Sequence, residues 1–210
     1  MDKADWIRKL IEQALEEIDD RYGPHGVFLQ PYHNSEHAND VMSAARAIGL
    51  AAAKAGKISA HDVPLLELAA CYHDIIHDLP DRNEEASAKL LTARMKKTGV
   101  FSDRDIELCK GAILATRYHF EGDRFVQAVT DDYYAMVLAD ADLSSTGQEF
   151  AIYQDRSAKL AAENQKQLDA EDQIRFLLGH RFNTAEAKRL YPNKAANIKQ
   201  LRSLKQVVQK

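Results

Sequence analysis

The segment Leu65–Asp78 constrains the fold more than any other part of this chain. Its first half, Leu65–Cys71, contains a single charged residue, so it is apolar enough to lie in the centre of a domain. Two histidines and two aspartates follow at once, in the order His-Asp-Ile-Ile-His-Asp at 73–78. Buried charge is costly unless it is paired or bound to a metal ion. The segment therefore predicts a metal-binding group inside the protein.

Helical spacing predicts where these histidines point. On an α-helix, His73 and His77 are four residues apart and share one face, with Asp74 beside them. Leu66 and Ala70 extend the same stripe towards the N-terminus. The face that carries the imidazoles is then also the face that packs, which predicts a metal-binding helix.

The composition is that of an ordinary globular protein. With 210 residues, 45% hydrophobic and 29% charged, the chain is predicted to form a single domain over residues 1–210. The net charge of -4 argues against general nucleic-acid binding, so no stable nucleic-acid complex is expected. It leaves room for small phosphorylated molecules as ligands. Both a monomer and a homo-oligomer are compatible with the sequence.

The compartment follows from what the sequence lacks. Its polar N-terminus is not that of a signal peptide, and no apolar run approaches the roughly 20 residues that span a bilayer. Cys71 and Cys109 stand in apolar helical surroundings without paired spacing, so we expect buried thiols rather than a disulfide or a thiolate zinc site. The sequence predicts a cytoplasmic protein without membrane contact.

Apolar residues at helical spacing predict helices along the whole chain. Asn34 or Ser35 can cap a helix that ends near Gly56, and Asn83 can cap a later helix that ends at Gly99. No segment shows the alternating apolar pattern of a strand. We therefore predict an all-α bundle of about eight to ten helices.

Candidate metal ligands lie on three of these predicted helices: His37, His73, Asp74 and Asp142. Taken singly, a buried histidine is more often a satisfied core residue, and an interior aspartate usually pairs with an amide or an arginine. Taken together, the ordered pattern of His, then His-Asp, then Asp is much less expected by chance. Imidazoles with carboxylates and no thiolate suit Zn, Mn, Fe, Co or Ni. Helical periodicity does not decide between Asp140 and Asp142 as the last ligand.

Three motifs resemble those of the HD superfamily of metal-dependent phosphohydrolases. They are Tyr-His-Asn-Ser-Glu-His-Ala at 32–38, the doublet at 73–74 and Ala-Asp-Leu-Ser at 141–144. The first is also similar to the Tyr-His-Asn-x-x-His-Ala signature of cyclic-nucleotide phosphodiesterases of the same superfamily. Small bacterial HD proteins share further residues with this chain, which are Asn83, Glu84, Ser87, Thr116 and His119. The resemblance covers residues 32–144 and implies an HD-type helical bundle that the first and last helices complete.

The resemblance implies a ligand set. His37, His73, Asp74 and Asp142 would bind the first of one or two divalent ions, with Mn, Fe, Ni, Co, Zn and Mg as candidates. Asp74 would bridge to a second ion if one binds. Because the motif places the ligand directly before Leu-Ser, the resemblance favours Asp142 over Asp140.

The resemblance also implies catalytic roles. His33 matches the phosphodiesterase histidine that protonates the leaving oxygen, and Glu84 is the candidate for orienting the attacking water. His77 and His119 match positions near a second metal ion or the substrate phosphate.

The implied activity is hydrolysis of a phosphate ester by metal-activated hydroxide. A nucleotide or a related small phosphorylated molecule is the expected substrate, of a phosphomonoesterase or a phosphodiesterase. One alternative is a di-iron oxygenase of the HD type, with His77 and His119 as the additional ligands. The other is a non-catalytic ligand-binding or regulatory module, against which the complete ligand set with His33 argues.

Overall fold

The computed structural model describes residues 1–79, 82–121, 124–127 and 130–208. These residues form ten α-helices, which are α1 (Lys3–Tyr22), α2 (Ser35–Lys54), α3 (Val63–Tyr72), α4 (Asn83–Thr98), α5 (Asp103–Leu114), α6 (Tyr133–Asp142), α7 (Phe150–Glu163), α8 (Ala170–Gly179), α9 (Ala185–Leu190) and α10 (Lys194–Val208). The predicted all-α bundle of eight to ten helices is confirmed. Over the same residues, no helix has the length and apolar character that crossing a membrane requires.

One β-hairpin departs from the expectation that the chain contains no strand. Strands β1 (Tyr118–Glu121) and β2 (Arg124–Gln127) are antiparallel, with Tyr118 opposite Gln127 and Glu121 opposite Arg124. Each strand is four residues long, which is too short for alternation to identify it in the sequence.

Helix α3 lies in the middle of the main hydrophobic core. All of its residues except Pro64 and Glu67 are buried, and it packs against α1, α2, α5 and α6. Pro64 is tolerated because it stands in the first turn, where its missing N–H has no helical partner to lose. The expectation that the apolar run before the His-Asp doublet lies at the centre is thus confirmed.

The helix ends explain how the neighbouring segments are placed. Asn34 caps α2, since its side chain accepts hydrogen bonds from the amides of Glu36 and His37. Gly99 ends α4 in the left-handed conformation, with φ of 71°, as predicted. Asn83 does not cap α4 as predicted. It is the first helical residue, and its side-chain oxygen instead accepts a hydrogen bond from the amide of Leu79.

A second, smaller core lies in the C-terminal part of the chain. It joins α7, α8 and α10 through the buried side chains of Tyr153, Ile174, Leu177, Ile198 and Leu201. Ion pairs connect this unit to the main core, because Arg156 of α7 binds both Asp40 and Glu36 of α2. These contacts hold the middle of α7 beside the first half of α2.

Both cysteine thiols are free and buried, as the sequence predicts. Burial raises the pKa of Cys71 to about 12 and also raises the pKa of Cys109. Because the thiolate is the reactive form, we expect no reaction of the folded protein with a thiol reagent such as DTNB at pH 8. Two thiols should react after unfolding in guanidinium. Rapid modification of either thiol in the folded protein would contradict this expectation.

Candidate metal centre

Four predicted ligands converge where three helices meet. His37 lies in the first turn of α2, His73 caps the C-terminus of α3, Asp74 follows it, and Asp142 is the last residue of α6. Ligand atoms from all four side chains lie within 4.8 Å of one another. This group can hold a metal ion, and we call it the four-ligand cluster.

The distances within the four-ligand cluster suit metal coordination. Nε2 of His37 is 3.5 Å from a carboxylate oxygen of Asp74 and 3.3 Å from one of Asp142. Nε2 of His73 is 2.9 Å and 3.4 Å from the same two oxygens. Ligands bound at roughly 2.0–2.2 Å, with angles between square and tetrahedral, are roughly 2.8–3.6 Å apart. All four distances fall in that range, so one small cation fits between the donor atoms.

The histidine nitrogens are oriented as metal ligands are. Nδ1 of His73 lies 2.7 Å from the carbonyl oxygen of Ala70 and must donate to it, which leaves the lone pair of neutral His73 on Nε2. Nε2 of His37 and of His73 is buried and makes no hydrogen bond of good geometry with the described residues. Two buried imidazole nitrogens that lack a well-formed hydrogen bond, each within 3.5 Å of the same two carboxylate oxygens, fit a shared cation better than a hydrogen-bond network.

The electrostatics of the four-ligand cluster favour positive charge. Burial alone would lower the pKa of both imidazoles, but the facing carboxylates raise the pKa of His37 and raise that of His73 well above its usual value. Burial would likewise raise the pKa of the carboxyl groups. The histidines nevertheless hold the pKa of Asp74 well below its usual range and lower that of Asp142 to about 2. A divalent cation satisfies the same two carboxylates.

The site is open on its carboxylate side. The side chains of His37 and His73 are 4% and 1% exposed, whereas those of Asp74 and Asp142 are 18% and 15% exposed. A ligand from solvent therefore reaches the cluster past the two carboxylates. Catalytic metal sites keep such an open position, whereas structural sites are closed by protein ligands.

The predicted metal-binding helix is wrong beyond His73. Helix α3 ends at Tyr72, so His77 does not share a helical face with His73. The backbone of the loop after the doublet is held by side chains from elsewhere. The hydroxyl of Tyr22 accepts a hydrogen bond from the backbone amide of His77. The side-chain amide of Gln30 donates one to the backbone carbonyl of His77. These tertiary hydrogen bonds replace the helical ones.

Ser87 has the same structural role in that loop. It is fully buried on α4, and its hydroxyl accepts a hydrogen bond from the amide of Ile76 and donates to the carbonyl of the same residue. Together with the bond from Leu79 to Asn83, this ties the loop after Asp74 to the start of α4. Two of the residues shared with the bacterial HD proteins thus shape the loop rather than contact the cluster.

His33 is held against the cluster by a residue that the sequence does not reveal. Its Nδ1 forms a short hydrogen bond with the carboxylate of Glu163, the last residue of α7. The same carboxylate accepts hydrogen bonds from the backbone amides of Tyr32 and His33, with N···O distances of 3.0 and 2.9 Å. Burial would raise the pKa of Glu163, but these bonds lower it to about 2. With Nδ1 engaged, the other ring nitrogen of His33 points to Asp74, 3.8 Å away.

His77 reaches the site from the loop and stacks on His33. The ring centroids are 3.6 Å apart and the planes are 18° from parallel. His33, Asp74 and His77 form a second group that can hold a metal ion. In stacked rings, however, the in-plane lone pairs run side by side and do not converge on one point. The observed stacking therefore disfavours His33 and His77 as joint ligands of one ion.

The remaining predicted residues are Glu84 and His119. Glu84 makes no hydrogen bond to the four-ligand cluster within the described residues. Burial raises its pKa, as do the nearby carboxylates of Asp74 and Asp142. His119 belongs to β1, but its side chain lies outside the described part of the structure. The predicted role of His119 therefore stays a prediction.

Asp140 is engaged elsewhere, which separates it from Asp142. Its carboxylate is fully buried and accepts four hydrogen bonds, from the backbone and side chain of both Asn183 and Thr184. Burial raises the pKa of Asp140, and these four bonds oppose that change. Asp140 thus joins α6 to the segment before α9 and leaves Asp142 to face the cluster.

These two neighbouring aspartates should respond differently to replacement. Asp140→Ala leaves the buried amide of Thr184 and the part-buried amide of Asn183 without an acceptor, so we expect the free energy of unfolding to fall by about 2–4 kcal/mol. Metal content per folded molecule should stay unchanged. Asp142→Ala should lose metal with a smaller loss of stability. Urea unfolding and metal analysis of both variants check this, and metal loss in Asp140→Ala with a full complement in Asp142→Ala would reverse the assignment.

Comparison of the chain with family models and with curated proteins finds no match. The likeness to the HD superfamily therefore depends on the three motifs and on where the fold places their residues.

Proposed function

We propose that this chain is a metal-dependent phosphohydrolase of the HD type. The observation that carries the proposal is the four-ligand cluster, open on one side, with His33 oriented towards it by Glu163. The three motifs and their convergence from separate helices support the family. A nucleotide or a related small phosphate ester is the substrate class that we propose.

His37, His73, Asp74 and Asp142 would hold the divalent ion. When bound, such an ion supplies Lewis acidity that polarises a phosphoryl oxygen and lowers the pKa of water from about 15.7 towards 7. Borderline ions such as Mn, Fe, Co, Ni or Zn suit two imidazoles with two carboxylates better than Mg does.

Residues of the chain would supply substrate access and proton transfer. The exposed edges of Asp74 and Asp142 mark the side from which a phosphate ester enters. His33 would donate a proton from Nε2 to the departing alkoxide oxygen, and Glu163 keeps the ring in the required orientation through Nδ1. His77 stacks on His33 and limits its rotation.

The group formed by His33, Asp74 and His77 is the reason to consider an oxygenase as a second candidate function. If this group also holds an ion and both ions are iron, an HD-type di-iron oxygenase is the alternative candidate, since Asp74 belongs to both groups. The stacked arrangement of His33 and His77 favours hydrolysis, because it leaves His33 available to a leaving group.

Metal analysis followed by activity measurement tests the proposal. We expect at least one divalent ion per chain after purification without chelator. With Mn, Co, Ni, Fe, Zn or Mg, a nucleoside monophosphate should release phosphate, or a cyclic nucleotide should be opened to its monophosphate. EDTA should abolish the hydrolysis, and readdition of the ion should restore it.

Two results would contradict the proposal. A protein that binds none of these ions would exclude metal-dependent hydrolysis. Oxygen consumption by an iron-loaded sample, with no phosphate release under nitrogen in the presence of Mn, would favour the oxygenase.

A further inference from the structure

A groove between α1 and α4 contains none of the metal-centre residues. Its volume is about 480 Å³. The residues that matter for its chemistry are Trp6, Lys9 and Glu17 of α1 with Arg94 and Lys97 of α4. A space of this size accommodates a small organic molecule.

The groove is basic although the chain as a whole is acidic. Lys9, Arg94 and Lys97 line the groove together with one carboxylate, that of Glu17, so positive charge exceeds negative by two within the lining. Glu17 is already paired with Arg94 at 2.5 Å. Among the described residues, Lys9 and Lys97 form no ion pair. Two unpaired ammonium groups beside a fixed guanidinium favour an anion, and phosphate groups suit such a set.

Arg94 is already fixed in place. One of its terminal nitrogens binds Glu17 and the other donates to the hydroxyl of Tyr72, at 3.0 Å. Its guanidinium also lies over the Tyr72 ring, 5.5 Å from the centroid. An arginine held by two partners loses little conformational entropy when an anion binds beside it.

Trp6 adds a flat aromatic wall next to the cations. The ammonium of Lys9 lies 5.1 Å from the centre of the Trp6 ring, so an anion that binds Lys9 also adjoins the indole. Trp6 is partly exposed and lines the groove, so part of its side chain is open to a ligand there. Aromatic side chains such as tryptophan are stacking surfaces for nucleobases in proteins that bind single-stranded nucleic acids. The lining thus combines a stacking surface with phosphate-binding groups.

We propose that this groove binds a small organic phosphate that carries an aromatic ring, as a nucleotide does, at a site separate from the metal centre. The proposal does not rest on the phosphohydrolase activity, since it uses none of the same residues. It gives the chain a ligand-binding site besides the candidate active site.

Trp6 is the only tryptophan in the chain, so its fluorescence reports on this groove. We expect ATP to quench Trp6 fluorescence in the full-length protein, with EDTA present to keep metal ions out of the measurement. Adenosine presents the aromatic ring without phosphate, and inorganic pyrophosphate presents phosphate without a ring. Each should bind about tenfold or more weakly than ATP. Raising the salt concentration should weaken ATP binding.

A double variant with a matched control locates the site. Lys9→Ala with Lys97→Ala should weaken ATP binding about tenfold or more, measured by fluorescence and by calorimetry. Lys54→Ala with Lys89→Ala removes the same charge from exposed positions outside the groove and should bind ATP like the parent protein. Asp74→Ala, which alters the metal centre alone, should also retain ATP binding.

Three outcomes would overturn the proposal. They are an unchanged Trp6 signal at millimolar ATP, equal affinity of the groove variant and its control, and loss of ATP binding in Asp74→Ala. Pyrophosphate binding as tight as that of ATP would overturn the assignment of an aromatic ligand.

Discussion

Asp74→Ala should remove both the bound metal and the activity. Asp74 is the one side chain shared by the two groups that can hold an ion, and one of its oxygens lies 2.9 Å from Nε2 of His73 and 3.5 Å from Nε2 of His37. Without it, a cation loses a charged ligand and the two imidazoles face only one carboxylate. We expect metal content below about a tenth of the parent value and turnover lower by about 10³-fold or more.

The loop around Asp74 offers a matched control. Asp78→Ala also removes a carboxylate four residues away, but Asp78 pairs with Arg21 at 2.9 Å and contacts no ligand of the four-ligand cluster. It should keep metal and activity. Because the loop is held by Tyr22, Gln30 and Ser87, the fold of Asp74→Ala should survive with a modest change in unfolding free energy. Thermal unfolding, metal analysis and phosphate release measured on both variants check each part. Full metal content in Asp74→Ala would remove the proposed centre.

Three of the four candidate ligands were predictable because they stand at helix ends that the sequence marks. Asn34 is a recognisable N-cap and predicts the start of α2, and His37 follows in the first turn of that helix. The apolar run of α3 leads directly to His73 and Asp74. Residue type and spacing at these helix ends are visible in the sequence, so the candidate ligands can be identified from it.

Other parts of the site depend on contacts that no local pattern records. Glu163 lies 130 residues from His33 in the chain, at the end of a helix whose pattern says nothing about its partner. Asp140 and Asp142 differ only in what faces them, and Asn183 and Thr184 decide the matter from the segment before α9. The orientation of α7 and the position of that segment are set by tertiary packing.

His77 is the converse case, in which sequence analysis identifies the residue but predicts the wrong local structure for it. Its spacing from His73 fits a helix, yet α3 ends because Tyr22, Gln30 and Ser87 bind the backbone of the following loop. Those hydrogen bonds come from α1, the segment before α2, and α4. His77 still lies beside the cluster, so the residue was found although the predicted local structure was wrong.

His33→Ala should keep the metal and lose rate, because His33 lies beside the four-ligand cluster and is not a member of it. Proton transfer to a leaving group contributes about 10²–10⁴-fold, and we expect a loss in that range for an alkyl phosphate ester. Glu163→Gln should lose less, about tenfold to a hundredfold, since Gln can still orient the ring. Glu149→Gln, at the opposite end of α7, is the matched control and should be fully active.

The leaving group separates a proton donor from a merely structural histidine. p-Nitrophenolate departs without protonation, so His33→Ala should hydrolyse p-nitrophenyl phosphate almost as fast as the parent protein while its loss on an alkyl ester persists. Combining His33→Ala with Glu163→Gln should add little to the loss from His33→Ala alone, because Glu163 acts through His33. Metal content should be unchanged in all of these variants. If His33→Ala slows both substrates equally, or loses its metal, then His33 does not donate the proton, and its ring serves the ion or the fold instead.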